Sequence, residues 1–468
     1  MQRHKRRGMA VSALVILSMI ASACGPETPS TAQPTATTGT AATQVTTEAT
    51  ATSAATAEST AISPAGLTGS ISFQVFGDPA ELNVFKEVVA GFNKAHPGPT
   101  VNIIHVPNQG DHMSKISAAF ASGDPPDVFL INYRRFGQFA AKKVIEPAGP
   151  LLAKSSTLKE DMYYPQVLEA FRYKGELQCI PQNISSLAVY YNKDMFKAKN
   201  VAEPAADWTW NDFLNTALTL TQDTNGDGKT DVYGAAIEPQ IIRVAPFVWQ
   251  NGGEIVDNPD KPTTFTLKEG PAREAVQFFM DLRTQGVVPT EAEAKAEDGE
   301  TAFMNGRVAM VFQSRAATPS FREIKGFQWD VAPLPMGKQK ASILHSDAYC
   351  IAAASKNKDL AWAFVEYAQG VEGQTIAAKL GRTVPSLKSV AESPAFLDPT
   401  QSPANSKMFL DIIPTMKLVP VLSTWPKIEG TANEELEQAF YKLKSIDDAI
   451  DMMTKETTED FAQGSSEK

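Results

Sequence analysis

The tightest constraint on the fold is a strand–helix alternation early in the globular part. Ile71, Phe73 and Val75 alternate as one face of a strand. Leu82, Phe85, Val88, Val89 and Phe92 then recur at helical spacing, up to the stop His96-Pro97-Gly98. A second strand, VNIIHV (101–106), a helix over about 112–121 and the breaker SGDPPD lead to the continuous apolar run 128–131. Strands that alternate with helices predict a mostly parallel sheet with both faces covered. Ligands of such sheets sit beyond the carboxyl ends of the strands. That places Phe76-Gly77-Asp78 and Asn132-Tyr133-Arg134-Arg135 at the expected mouth.

Further along, Leu187–Tyr191 reads as a strand, and Thr209 as the N-cap of a helix that opens at Trp210. Strands are expected at 308–312, 329–332 and 349–353, and a helix over 358–369. The globular part, from about 68 to 455, is too long for one core and predicts two lobes. No internal repeat is evident.

The N-terminus carries an export signal. Arg3, Lys5, Arg6 and Arg7 precede the apolar stretch MAVSALVILSMI (9–20) and the small residues Ala21-Ser22-Ala23. That stretch is too short to span a bilayer with ease. Small residues directly before Cys24 resemble a lipobox, with Ala21 where Leu is usual. In bacterial lipoproteins the cysteine becomes the first residue and bears diacylglycerol on its sulfur, with palmitate. The resemblance implies lipidation at Cys24 and a chain held at the extracytoplasmic face of the cell membrane. From 25 to about 66 the chain is almost wholly Thr, Ala, Ser, Pro, Gln and Glu. Such a tract buries too little apolar surface to offset ordering, so it is expected to be a disordered tether. A flexible chain of that length reaches roughly 35 Å.

The chain has 53 acidic and 43 basic residues and a net charge of −10, and loss of the signal makes it more acidic. That balance argues against nucleic acid as a partner, since no basic patch stands ready for phosphates. Besides Cys24 there are only Cys179 and Cys350, each in an apolar context. They either pair in an oxidising compartment or remain two buried thiols.

The sharpest local motif is Asp223-Thr-Asn225-Gly-Asp227-Gly228-Lys229-Thr-Asp231. Side-chain oxygens at loop positions 1, 3, 5 and 9, a glycine at 6 and the Lys229 carbonyl at 7 match a calcium loop. Position 12, normally a bidentate Glu, is Gly234. The expectation is a weak structural Ca2+ site; the alternative is a charged surface turn without metal. No catalytic cofactor is expected, for no HExxH, GxSxG or phosphate-binding loop occurs and the histidines are scattered.

Seven stretches together resemble the extracellular solute-binding proteins of ABC importers, in the carbohydrate-binding branch that includes maltose-binding proteins. They are ASGDPPDVFLINYRRFGQFAA (121–141), LAVYYNKDMF (187–196), DWTWNDFLNTALTLTQDTNGDGKTDVYG (207–234), WQNGG (249–253), FMNGRVAMVF (303–312), WDVAPLPMG (329–337) and SKNKDLAWAFVEYAQGVEGQ (355–374). Their order and spacing carry the resemblance, over about 70–428. It implies a two-lobed α/β fold of the type II periplasmic-binding kind, with a hinge of crossing strands after the signal peptide (1–23) and tether (24–67). The first lobe would hold 68–186 and 344–385, the second 187–343 and 386–468.

The resemblance also implies no enzymatic activity. The expected partners are a small solute, by default a sugar or polyol, and ABC permease subunits. An exported glycan-active enzyme and a ligand sensor without a transport role are the alternatives.

Sugar sites want aromatic platforms and planar polar groups. At positions where the family binds, this chain offers Asp78, Tyr133, Arg134 and Asn183, then Trp249, Asn251 and Gly253. Arg315, Ser346, Asp347 and Trp425 complete the set. Each has a structural alternative. Asp78 could cap a helix, Trp249 could be core, Asn251 and Gly253 could form a turn, and the arginines could pair with acids.

Overall fold

The computed structural model describes residues 67–467. The signal peptide, Cys24 and most of the tether lie outside the described residues. The first three strands are β1 (Ser70–Phe76), β2 (Thr100–Val106) and β3 (Val128–Asn132). β1 lies between β2 and β3 and pairs parallel with both. All five residues of β3 are buried, which explains its unbroken apolar run. The helix Pro79–Ala95 starts at a capping box, with Asp78 and Glu81 each accepting the other's backbone N–H. It buries Val84, Phe85, Val88, Val89 and Phe92.

Beyond β3 the first sheet turns antiparallel. β4 (Ile145–Glu146) forms the far edge, and β5 (Arg172–Tyr173) and β6 (Glu176–Leu177) make a small hairpin. β7 (Ile180–Pro181) joins the sheet later in the chain. The returning strand β12 (Asp347–Ala352) lies between β3 and β4, antiparallel to both. Cys179, just before β7, and Cys350 on β12 form a disulfide, with Cα atoms 4.6 Å apart. Pairing was one of two readings of these cysteines; the β7–β12 register is what brings them together.

The second lobe is built on β8 (Leu187–Asn192), flanked antiparallel by β9 (Met310–Ser314) and β10 (Trp329–Ala332). Val308 bridges to Tyr233 instead, so β9 starts two residues later than the apolar run suggests. Every residue of the helix Ile241–Gln250 is buried. Short β11 (Ser342–Ile343) and β13 (Met416–Lys417) pair parallel beside it.

Three segments cross between the lobes side by side. Ile184 N–H donates to Val384 O at 2.9 Å. Ser185 and His345 exchange backbone hydrogen bonds of 2.9 and 2.8 Å. The helices Lys358–Ala368 and Val371–Lys379 then pack on Pro79–Ala95. The helix Trp425–Phe440 touches Ile241–Gln250 of the second lobe and Tyr133–Ala141 of the first. Among the described residues no helix is long and apolar enough to cross a membrane.

Candidate functional site

A cavity of about 280 Å³ lies at the carboxyl ends of β1 and β3, where the two lobes face each other. The first lobe contributes Phe76, Glu81, Asn132, Arg134, Asp347 and Arg382. The second contributes Gln240, Ile242, Arg243 and Ser314, and the crossing segments contribute Asn183, Ser185 and His345. A larger hollow, of about 430 Å³, lies between the helix Gly270–Thr284 and residues 439–446. It is shallow and touches one lobe alone, so it cannot hold a solute between lobes.

Three of the residues expected at the site line the cavity: Arg134, Asn183 and Asp347. They share one network. Asn132 Nδ2 donates to Asp347 Oδ1 at 3.0 Å, and Asp347 N–H donates to Asn183 Oδ1 at 2.9 Å. Arg134 donates from Nε to Asn132 Oδ1 at 3.2 Å and forms an ion pair with Glu429. Arg135 Nη2 reaches the same carboxylate at 3.0 Å, and Trp425 Nε1 donates to its other oxygen at 3.0 Å. Burial alone would raise the Glu429 pKa, but the two guanidinium groups outweigh it and hold it below the usual carboxylate range.

The other expected residues lie outside the cavity, each for a packing reason. Tyr133 is fully buried, with its hydroxyl accepting Val419 N–H at 3.3 Å. Trp249 and Trp425 are core. Asn251 donates to Pro271 O (2.7 Å) and Glu274 Oε2 (2.9 Å), tying two helices together. A Cβ at Gly253 would sit 2.8 Å from Ala272 N, so that glycine is there for close helix approach. Arg315 donates to Gly381 O and Ser406 Oγ, both at 3.1 Å, and lies over Phe396 and Phe409. It holds packing, and among the described residues it forms no ion pair with a carboxylate. Ser346 Oγ donates to Asn183 O at 2.6 Å within the crossing segments. Asp78 caps its helix and accepts from Ser320 Oγ at 2.6 Å.

Sequence reasoning missed Glu81, Arg243, His345 and Arg382. Arg382 Nε lies 2.7 Å from Glu81 Oε1. Burial raises the pKa of Glu81 and of Asp347, with Arg382 opposing in both. His345 is pushed well below the ordinary imidazole value by burial and then by Arg243 and Arg134, so it is neutral. Arg243 carried one legible signal: it is the single charge in the apolar run IIRVAPFVWQ.

In the 223–231 loop, Asp223 accepts N–H bonds from Gly226 (2.7 Å) and Gly228 (2.8 Å), and Asp231 accepts from Thr224 N (2.7 Å). Among the described residues no group of three or more His, Cys, Asp or Glu stands ready to hold a metal. A Cβ at Gly234 would lie 2.0 Å from Ala217 O, so packing excludes the usual bidentate Glu there. The donors present are all oxygen, the chemistry Ca2+ takes, but one strong ligand short.

Two α/β lobes, three crossing segments and a cavity lined from both sides define a hinged binding protein. The model of the bacterial extracellular solute-binding proteins matches residues 87–407, and the chain belongs to that family. It is therefore a solute-binding protein of the extracytoplasmic space and not an enzyme. It is 27% identical over 295 residues to a maltotriose-binding protein of Pyrococcus abyssi, covering 62% of this chain and 60% of that one. An ABC substrate-binding protein from Listeria monocytogenes, solved with cycloalternan, superposes with a TM-score of 0.78 at 25% identity. That match covers 84% of this chain and 99% of the other. The GacH receptor of Streptomyces glaucescens superposes at 0.74 with 23% identity, covering 85% and 99%.

Proposed function

We propose that this chain is anchored by lipid at Cys24 outside the cytoplasm, captures a sugar between its lobes and delivers it to an ABC permease. The sugar class spans mono- and oligosaccharides and polyols. The carrying observation is the cavity walled by both lobes and by the crossing segments themselves. A solute that touches both walls binds the closed form better and shifts the population toward it. The polar lining of amides, hydroxyls and charged groups suits a polyhydroxylated ligand. The ligand named for the Pyrococcus relative and the complex of the Listeria neighbour support the same class. Calcium in the 223–231 loop belongs to the proposal in a structural role. The loop's oxygen donors support it, and binding requires Asp227 and Asp231 to turn toward the ion.

A thermal-shift screen across saccharides, peptides and polyamines tests the ligand class. A ligand at 100 times its Kd stabilises by about 2.7 kcal/mol. A shift with a peptide or polyamine and none with any carbohydrate contradicts the sugar reading. Incorporation of labelled palmitate, lost in Cys24→Ser, tests the anchor. Co-purification of permease subunits tests delivery.

A further inference from the structure

The cavity gathers three arginines in a chain whose charge is −10. Arg134, Arg243 and Arg382 are 7%, 5% and 3% exposed. Two of them lie beside carboxylates with little exposure: Arg134 pairs with Glu429, and Arg382 with Glu81 at 2.7 Å, although its Nε is not aligned for a hydrogen bond there. Arg243 is not so placed. Its one acidic contact, Nη2 to Glu238 Oε2 at 3.1 Å, is with a side chain that is half exposed. Among the described residues its Nε and Nη1 are buried without an acceptor. A buried guanidinium with unmet N–H groups is costly unless something completes it. His345, in the same lining, has its Nε2 unpartnered among the described residues as well. Among the described residues the lining holds one Phe and no Tyr or Trp, the Phe being Phe76. A neutral sugar would find few flat apolar faces here, whereas guanidinium groups match oxyanions.

We infer that the cleft takes an anionic carbohydrate or polyol, whose carboxylate or phosphate oxygens accept from Arg243. This rests on the sugar-binding reading above and narrows it. The hydroxyls would meet the Asn132–Asp347–Asn183 network, which both donates and accepts. The anion would face the second lobe, on the helix Ile241–Gln250. Binding would thus bridge the lobes, charge on one side and hydroxyls on the other.

The test is calorimetric titration of the full chain with four probe sets. These are glucose and maltotriose; glucuronate and galacturonate; glucose 6-phosphate and glycerol 3-phosphate; and inorganic phosphate and acetate alone. At least one acidic sugar or sugar phosphate is expected to bind ten or more times tighter than its neutral parent. Which of the two sets does so separates a carboxylate from a phosphate source. Arg243→Gln is expected to cost that ligand roughly 10- to 100-fold, the range of a charged hydrogen bond, and a neutral sugar less than threefold. The comparison of ligands on the unaltered chain stands even if the variant folds poorly. Neutral parents that bind as well as the acidic forms overturn this inference and leave the proposed function standing. Inorganic phosphate or acetate binding as tightly as the sugar acids also overturns it. No binding by any member of the sets overturns the inference; the proposed function falls only if no carbohydrate of the thermal-shift screen stabilises the chain either.

Discussion

Ser320 Oγ donates to Asp78 Oδ2 at 2.6 Å, joining the second lobe to the N-cap of the first helix of the first lobe. Asp78 also caps its own helix, so its replacement would mix two effects. Ser320→Ala removes only the contact across the cleft. A hydrogen bond of this kind contributes about 1 kcal/mol. If it helps hold the lobes together, ligand affinity falls roughly fivefold, mainly through faster dissociation. Stopped-flow release of bound ligand reads this, and an unchanged rate contradicts it.

Glu429 holds Arg134 and Arg135 from a helix that touches both lobes. Glu429→Gln leaves Arg134 buried without its counter-charge. Breaking such a pair from one side costs about 3–5 kcal/mol. Urea denaturation should show a loss of that size. A variant as stable as the parent would mean that the guanidinium finds water or another acid.

His112 and Glu300 tilt stability with pH in opposite senses. Burial lowers His112 from 6.5 to about 4. Between those values the unfolded chain binds the extra proton, so stability is lost as pH falls from 6.5 toward 4. Burial, followed by the nearby Asp298, Glu238 and Glu81, raises Glu300 to about 7. There the folded chain binds the extra proton, so stability falls as pH rises from 4.5 toward 7. Melting curves across pH 4–8 check both signs: His112→Gln should flatten the acidic limb, and Glu300→Gln the limb toward neutrality.

The Cys179–Cys350 bond closes a sequence separation of 171 residues. Its loss through the double Ser variant should lower stability by about 2–4 kcal/mol. Equal melting points with and without reductant would contradict this.

Calcium should raise the melting temperature in the millimolar range, with chelator reversing it, and Asp223→Asn should abolish the shift. Identical melting in calcium and chelator removes the ion from the proposal.

The first lobe was legible because each element carries its own period: alternation in Ile71, Phe73 and Val75, helical spacing from Leu82 to Phe92, and a solid apolar run where β3 is covered on both sides. The start of β9 was not, since RVAMVF has no alternation to set a boundary. Polar cavity residues next to strand ends, such as Asn132 and Arg134, were within reach of the topology alone. Arg382 and Glu81 were not, because their pairing joins distant parts of the chain. Aromatic type misled in the other direction. Tyr133 is at a strand end, yet Val419, far along the chain, supplies the partner that turns it into the core. Which side of a strand end faces the cleft is set by such remote packing, and local sequence does not record it.

The most direct test of the central claim is calorimetric titration with the carbohydrate that gives the largest thermal shift, on the parent chain and on Asp347→Ala. One ligand per chain, recovered unchanged, with affinity at least tenfold weaker in the variant, is the expected result. Consumption of the ligand, or equal affinity in both proteins, would contradict capture between the two lobes.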